Sequence, residues 1–355
     1  MQSPQERVVY ADLLRIAATF AVIVMHVAAS GWSNTPVNTF DWQVYNLYDA
    51  LARWAVPVFV MLSGMFLLDP QKDTSTAKIY RKYILRVLLA IAVWGLFYRC
   101  TDIAISRSIR HKEISRNAAL VELLEIPFGT AWFHLWYLYM ILGLYIMTPL
   151  YRVFTKAAGE KEYSYLLLVF ALCGICLPFI AAVLPAIHPR LTLGFRVAET
   201  VNYTGYFFAG YYLSKAELSR KRKGMLYAAG ILSFAVMIAG TALISMHTGE
   251  GSELFFDSLS PATMGEAVLI FLLFKQFEGK TFSEKAKALI ARLSSCTFGI
   301  YLLHAFVIRL CDLTGLSASL SNPLPAVPVI SVIVFFVSFA LIFVLRKIPL
   351  CRQVM

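Results

Sequence analysis

The chain has 355 residues, of which 59% are hydrophobic and 15% charged, and its formal net charge is +11. Soluble domains carry about 25% charged residues, so this composition excludes an ordinary soluble fold and favours a chain whose solvent is a bilayer. In a soluble protein the excess of positive charge would suggest nucleic-acid binding. Here the basic residues lie in short loops between apolar segments, so we expect membrane lipid, and not nucleic acid, as a partner.

Neither the cysteines nor the first apolar segment indicates a small secreted protein. Cys173 and Cys176 form a CxxC pair inside an apolar segment with no second pair, so they are interpreted as packing residues and no metal site is expected. The first apolar segment carries Asp12, Arg15 and His26, which a cleaved signal peptide would lack. That segment is therefore predicted to remain as a membrane-spanning helix.

Ten apolar stretches are long enough, or nearly so, to cross a bilayer as helices. They lie at about 8–30, 43–68, 79–102, 131–151, 163–184, 200–213, 225–245, 260–277, 293–312 and 325–346, and the sixth is the shortest. No internal repeat and no soluble region interrupts them. The sequence predicts an all-α, polytopic membrane protein of about ten transmembrane helices, with residues 1–355 forming a single domain.

The loops between these stretches predict an orientation. With the N-terminus inside, the inner segments carry 20 lysines and arginines and the outer segments carry six. Cytoplasmic loops of membrane proteins are enriched in these residues. Both termini are therefore predicted to be cytoplasmic, and the long loop at about 103–130 is predicted to lie outside.

Ionisable residues inside membrane spans are energetically expensive, and three of them lie on the first predicted helix. Asp12 and Arg15 are three residues apart and can form an ion pair. Arg15 and His26 are eleven residues apart, which is about three turns plus roughly 20°, so they share one face of the helix with His26 about 16 Å farther outward. A bundle-facing ion pair and a structural histidine would also explain the pattern.

Four further polar residues fall inside other predicted spans. His134, Glu266 and His304 are expected at a depth similar to that of His26 in the outer leaflet, and Arg53 lies near the middle of the second predicted span. Each residue alone could be structural. Their shared depth predicts a polar cavity that opens outward.

Basic residues also begin the third predicted helix. Arg81, Lys82 and Arg86 could be anchors of the kind that the inner membrane face attracts. Guanidinium groups also bind phosphates in bidentate fashion, so these residues could instead form a phosphate clamp.

Several of these motifs together resemble those of the acyltransferase family 3 membrane proteins, in their surface-polysaccharide O-acetyltransferase branch. The Arg15-x10-His26 spacing with Asp12 just before it is similar to the family's first-helix signature, and the segment Arg53-Trp-Ala-Val-Pro-Val-Phe-Val-Met-Leu-Ser63-Gly64 is similar to its second-helix motif. The remaining similarities are Arg81-Lys82-x3-Arg86, whose spacing departs from the family pattern, Leu135-Trp136-Tyr137-Leu138, and Ser294-x4-Gly299-Ile-Tyr-Leu-Leu-His304. The resemblance covers nearly the whole chain.

The resemblance implies a multi-pass enzyme of the bacterial cytoplasmic membrane. It implies transfer of an acyl group, usually acetyl, from cytoplasmic acyl-CoA to a hydroxyl of a glycan or lipid-linked sugar at the outer face. Acetyl-CoA is then the donor substrate, no metal is needed, and self-association into a homo-oligomer is left open.

The site residues follow from the same resemblance. His26 is expected to act as general base, or to carry the acyl group transiently. Arg15 and Asp12 are the other expected catalytic residues, with Arg15 stabilising charge or positioning the thioester. Arg81, Lys82 and Arg86 are expected to bind the phosphates of the donor. The expected substrate-binding residues are Arg53, Ser63, His134, Trp136, Tyr137, Glu266 and His304, of which Ser63 and Tyr137 are candidate donors to the oxyanion.

Two other classes of function fit the same pattern. A transporter or flippase of a small anionic or amino-acid substrate also needs a polar cavity and a basic inner rim. A membrane sensor or scaffold would need no turnover at all. Release of free CoA by the purified protein separates the enzyme from both alternatives.

Overall fold

The computed structural model describes residues 7–72, 74–108, 132–187, 203–320 and 322–355, together with Val121, Leu124 and Ile126. Throughout this part of the chain the regular structure is helical, which confirms the all-α prediction. The principal helices are α1 Val9–Trp32, α2 Phe40–Ala50, α3 Ala55–Leu67, α4 Leu85–Ser108, α5 Trp136–Ala157, α6 Glu160–Val169, α7 Leu177–Ile187, α8 Thr204–Lys215, α9 Arg220–Thr248, α10 Pro261–Lys275, α11 Glu284–Leu313, α12 Pro323–Leu345 and α13 Pro349–Gln353.

Nine segments of the described chain are long and apolar enough to cross a membrane, and the protein is a multi-pass membrane protein. They correspond to nine of the ten predicted stretches. The other stretch, predicted at 200–213, overlaps the 12-residue helix α8. Twelve residues span only about 18 Å, which is shorter than a bilayer core of about 30 Å.

The second predicted span, 43–68, is two helices joined by a turn at Leu51–Trp54, and not one continuous helix. Pro57 explains the break, because a proline has no amide hydrogen to bond the carbonyl of Arg53 four residues earlier. In α3, Pro57 occupies the first turn, where that missing bond costs nothing. The turn places Arg53 at the junction of the two helices.

Burial separates the central helices from those at the periphery. Within the apolar stretch of 18 residues that would cross the membrane, 72% of the residues are buried in Phe40–Leu67 and 61% in α11, compared with 17% in Glu160–Val183 and 22% in α9. Helix α1 packs against α2, α3, α11 and α12. The polar residues predicted from the sequence therefore lie on or beside the most buried helices.

Helices α3 and α8 pack at very short range because glycines face the opposing backbone. A Cβ added at Gly64 would lie 1.7 Å from the carbonyl oxygen of Phe207, and one added at Gly210 would lie 1.9 Å from that of Met61. Small residues at helix interfaces permit this close approach in membrane proteins. The glycine that ends the second-helix motif thus has a packing role.

Helix α4 is entered through a π-helical segment at Ile79–Ile84, preceded by a single turn at Thr76–Lys78. The Ser75 hydroxyl caps this turn by accepting a hydrogen bond from the Lys78 amide. Segments of π-helix are frequent at functional sites because the wider turn redirects side chains. Here the segment carries Lys82 and Tyr83, which both line the cavity described next.

Candidate active site

A network of charged hydrogen bonds centres on Asp12 of α1. Its carboxylate accepts from Arg7 Nε at 2.7 Å, from Arg15 Nη1 at 3.0 Å and from the Ser294 hydroxyl at 2.6 Å. Arg15 Nη1 also lies 3.2 Å from Ser294 Oγ. Asp12 is 5% exposed, so this buried carboxylate is compensated on both oxygens. The predicted Asp12–Arg15 pair is confirmed.

This network forms part of the wall of a cavity of about 780 Å³, which we call the basic-rim cavity. Its cations are Arg7, Arg15, Lys72, Lys78, Lys82 and Arg86, its hydroxyl-bearing residues include Ser63, Thr74, Tyr83, Tyr137, Tyr145, Ser294, Ser295, Thr297 and Tyr301, and Asp12 is its carboxylate. The excess of cations over carboxylates suits an anionic ligand. A volume of this size also suits a small-molecule substrate.

The three predicted phosphate ligands are placed differently from one another. Lys82 and Arg86 line the cavity, and the Arg86 guanidinium also lies over the Phe298 ring at 5.0 Å. Arg81 is exposed and is not part of the cavity wall. Consecutive residues of a helix point in directions roughly 100° apart, so Arg81 and Lys82 face different surroundings.

A group of hydroxyl-bearing side chains, which we call the tyrosine layer, lines part of the cavity: Ser63, Tyr137, Tyr145 and Tyr301. The Ser63 hydroxyl donates to the Phe59 carbonyl at 3.0 Å and lies 3.4 Å from the Tyr145 hydroxyl. The rings of Tyr137 and Tyr301 are 5.7 Å apart. The Tyr301 hydroxyl in turn donates to the main-chain carbonyl of His134, so this layer contacts the next group of residues directly.

Beyond the tyrosines, three histidines from three helical segments form what we call the histidine cluster: His26, His134 and His304. The rings of His26 and His304 are stacked 5.3 Å apart, and those of His134 and His304 meet edge to face at 5.1 Å. His26 also contacts the Phe133 ring at 5.0 Å. These three histidines therefore lie together, and the outward-opening polar cavity expected from their shared depth with Glu266 stays a prediction.

One histidine of the cluster has a defined tautomer. His304 Nδ1 lies 2.6 Å from the Tyr301 carbonyl. A carbonyl oxygen only accepts, so Nδ1 carries the hydrogen and Nε2 of the neutral ring is an acceptor. Nε2 is buried and has no hydrogen-bond partner among the residues that the structure describes. A buried acceptor of this kind is available to a hydroxyl-bearing ligand or to water.

A second polar group lies behind the histidines. Arg53 forms an ion pair with the buried carboxylate of Asp49, in which Nη2 donates to Oδ2 at 2.7 Å and Nε lies 2.6 Å from Oδ1. Its guanidinium lies 4.3 Å from the centre of the Phe256 ring. Arg53 is close enough to both His26 and Glu266 for a charge interaction. Glu266 is fully buried, and neither of its carboxyl oxygens has a hydrogen-bond partner within the described ranges.

The structure thus divides the predicted site residues into two groups. Asp12, Arg15, Ser63, Lys82, Arg86 and Tyr137 lie at the basic-rim cavity, and His26, Arg53, His134, Glu266 and His304 lie at or near the histidine cluster. Trp136 is 40% exposed and packs against Tyr137 and Tyr203, outside the cavity wall. The wall of the basic-rim cavity ends at the tyrosines and does not include the histidines.

Sequence reasoning missed several residues of the cavity. Lys72 was counted only as a loop charge, and Ser294 was noted only as part of a motif. Tyr145 and Tyr301 were not singled out, since tyrosines in apolar helices are common and give no signal of their own. The motif from Ser294 to His304 could have identified two of them, because Ser294, Tyr301 and His304 are spaced seven and three residues apart and so share one face of α11.

Comparison with known protein families gives a match to the acyltransferase domain of acyltransferase family 3 over residues 8–344. A search of curated proteins and a search of solved structures returned no match. The matched region includes the Asp12 network, the basic-rim cavity and the histidine cluster. The chain therefore belongs to acyltransferase family 3, as its motifs indicate.

Proposed function

We propose that this membrane O-acyltransferase transfers an acetyl group from cytoplasmic acetyl-CoA to a hydroxyl of a glycan or lipid-linked sugar at the outer membrane face. Membership of the family supports acyl transfer in general. The donor, the acceptor and the direction of transfer are proposals. They rest on the contrast between the basic-rim cavity and the histidine cluster, and on the positive-inside orientation predicted from the loops.

The basic-rim cavity suits the donor. Coenzyme A carries several phosphate charges, and Lys82, Arg86 and the other rim cations offer charge-assisted hydrogen bonds to them. The pantetheine arm would then pass Arg15 and extend along α1. Arg15 and His26 are separated by about 16 Å along the helix, a distance that an extended arm of this kind can bridge.

The histidine cluster suits the chemistry. In direct transfer, His26 removes the proton of the acceptor hydroxyl as its oxygen attacks the thioester carbonyl carbon. The new C–O bond forms, the C–S bond breaks, and the CoA thiolate takes the proton from His26. In the two-step route, a His26 ring nitrogen first receives the acetyl group and then passes it to the acceptor oxygen. Both routes yield an ester and free CoA.

The residues beside the two groups have corresponding roles in this proposal. The hydroxyls of Ser63 and Tyr137 are candidates to stabilise the oxyanion of the tetrahedral intermediate. Arg53 and Glu266 would bind acceptor hydroxyls, with His134 and His304 shaping the space around His26. The bidentate Asp49 pair would hold Arg53 in place for that contact.

A single observation carries the proposal: Tyr301 belongs to the wall of the cation-lined cavity and also contacts His134 of the histidine cluster. A donor bound at the rim would thus bring its thioester up to the residues that adjoin a candidate base. The cavity alone would not indicate a catalytic base, and the histidine cluster alone would not indicate an anionic donor.

The test uses purified protein in lipid nanodiscs with acetyl-CoA labelled in its acetyl group. Extracted envelope glycans and lipid-linked sugars serve as acceptors. The proposal expects release of the free CoA thiol together with label in an alkali-labile ester. Binding of acetyl-CoA without any CoA release would instead support a transporter, and the absence of both would support a sensor or scaffold.

A further inference from the structure

The turn that follows α3 is held by a buried arginine from another helix. Arg152 of α5 donates from Nη1 to the carbonyls of Leu67 and Asp69, at 2.7 and 2.8 Å, and from Nη2 to the carbonyl of Lys72 at 2.8 Å. Its side chain is 8% exposed. A single guanidinium thus bonds three main-chain carbonyls within six residues, which fixes the path of the backbone from α3 to Lys72.

This contact has a clear physical origin at the end of α3. The last carbonyls of a helix have no partner within the helix and carry the negative end of its dipole. Arg152 supplies both hydrogen-bond donors and positive charge at this position. Thr155, one turn farther along α5, adds a hydrogen bond to the Leu68 carbonyl at 3.1 Å. Helix α5 therefore serves as a fixed support for the turn.

The turn presents Lys72 to the basic-rim cavity. Lys72 lines the cavity, and its ammonium lies 4.6 Å from the centre of the Phe66 ring. Burial lowers the pKa of Lys72, while Asp69 opposes this change and Lys215 adds to it. Asp69 itself pairs with Lys215 at 3.2 Å. The ammonium is therefore partly desolvated, and an anion in the cavity would compensate its charge.

Lys72 reaches the cavity from a different segment than the residues predicted from the sequence. Lys82 and Arg86 come from the π-helical segment and α4, whereas Lys72 comes from the turn after α3. Cations on separate supports can bind more than one charged group of an extended anion. Because the turn that carries Lys72 is held rigidly, less conformational entropy is lost when Lys72 binds a phosphate.

We propose that Lys72 is a phosphate-binding residue for the acyl-CoA donor and that Arg152 is the positioning residue that holds it at the cavity. This inference rests on the proposed function, since it assigns a further phosphate-binding residue to the same donor site. It adds a binding residue from outside the basic motif of the third predicted helix.

The experiment measures binding of coenzyme A by calorimetry, and the kcat and KM for acetyl-CoA, in the purified full-length protein. Lys72→Met is expected to weaken CoA binding about tenfold, the loss expected for one charged hydrogen bond. Arg152→Gln is expected to raise the KM for acetyl-CoA by a similar factor with little change in kcat. Lys156→Gln removes an exposed cation one turn along the same helix and serves as the matched control.

A double variant separates positioning from a general loss of stability. If Arg152 acts through Lys72, Lys72→Met combined with Arg152→Gln binds CoA no more weakly than Lys72→Met alone. If the two losses multiply instead, Arg152 is not a positioning residue for Lys72. Should Arg152→Gln fail to fold, Arg152→Lys makes the same comparison, because it keeps the charge and loses the planar fork that bonds the carbonyls of Leu67, Asp69 and Lys72.

Two negative results have different meanings. If wild-type protein binds CoA and Lys72→Met binds it equally well, the inference about Lys72 is wrong and the proposed acyl transfer is unaffected. If wild-type protein has no affinity for CoA, both proposals are wrong.

Discussion

The basic-rim cavity and the histidine cluster are neighbours, but their buried polar groups differ in how completely they are hydrogen-bonded. At the cavity, the carboxylate of Asp12 is bonded to two arginines and a serine. At the cluster, polar atoms of His304 and Glu266 are buried without hydrogen-bond partners in the described part of the chain. Unsatisfied buried groups cost about 1–3 kcal/mol each, so these atoms are expected to bond a ligand or water.

This difference suggests that the cavity binds the donor and that the histidine cluster carries out the transfer. Prearranged charges at the cavity can hold an anionic donor with little rearrangement. Incompletely bonded histidines can exchange protons or bond a hydroxyl, which groups locked in ion pairs do less readily. The comparison therefore predicts that changes at the cluster reduce turnover and that changes at the cavity reduce donor affinity.

The largest expected effect comes from His26→Ala. A general base contributes roughly 10²–10⁴-fold to a rate, so the transfer rate should fall by at least about 100-fold. The affinity for acetyl-CoA and the melting temperature should be nearly unchanged, because His26 is partly exposed and lies outside the cavity wall. Single-turnover assays and calorimetry measure the two quantities separately.

The control for this variant is His247→Ala, which removes an exposed histidine at the end of α9. It should leave both quantities unchanged. Near-normal turnover in His26→Ala would mean that His26 is structural. An acetyl group found on His26 by mass spectrometry, with donor but without acceptor, would favour the two-step route.

A smaller effect is expected from Lys82→Gln and Arg86→Gln at the rim. Each should raise the KM for acetyl-CoA about tenfold with kcat nearly constant, and added salt should reproduce part of the loss because the contacts are ionic. Arg81→Gln should have a weaker effect than either, since Arg81 is exposed outside the cavity wall. Equal losses in all three variants would show that all three basic residues bind the phosphates, whether or not they line the cavity.

The next expected effect is on stability. Asp12→Ala removes the acceptor for Arg7, Arg15 and Ser294, so it should lower the free energy of unfolding by about 1–3 kcal/mol. Thermal unfolding in detergent measures the change. Ser294→Ala removes one bond of the same network and should cost less. If Asp12→Ala is as stable as the wild type, the Asp12 network does not stabilise the fold.

The smallest expected effect is a shift in pH dependence. Burial lowers the pKa of Lys72, so its ammonium loses its proton at a lower pH than an ordinary lysine does. Affinity for CoA should therefore decline as the pH rises toward that range. Lys72→Arg keeps its charge to higher pH, so its decline should begin later. Coincident profiles for the two proteins would exclude a role for the Lys72 charge in binding.

The sequence predicted those features that depend on composition and on spacing along one helix. The lengths of the apolar stretches predicted the membrane-spanning segments. The three-residue spacing of Asp12 and Arg15 predicted their ion pair. The shared depth of His26, His134 and His304 gave their grouping. These inferences succeed because a bilayer fixes both the length and the axis of each helix.

Features that depend on contacts between distant segments could not be predicted. The three carbonyls bonded by Arg152 belong to a turn 80 or more residues earlier, and no local pattern connects them. The π-helical segment that carries Lys82 and Tyr83 has no distinct sequence signature. The break at Leu51–Trp54, just before Pro57, was predictable in principle, because a proline in an apolar run often lies in the first turn of a new helix.

The most direct test of the central claim measures transfer across the membrane. Sealed vesicles of both orientations, prepared from cells that express the chain, would receive acetyl-labelled CoA only on the outside. The account predicts alkali-labile label on glycan or lipid-linked sugar inside the vesicles whose cytoplasmic face is outward, and its loss in His26→Ala. Equal labelling in vesicles whose cytoplasmic face is inward would contradict it.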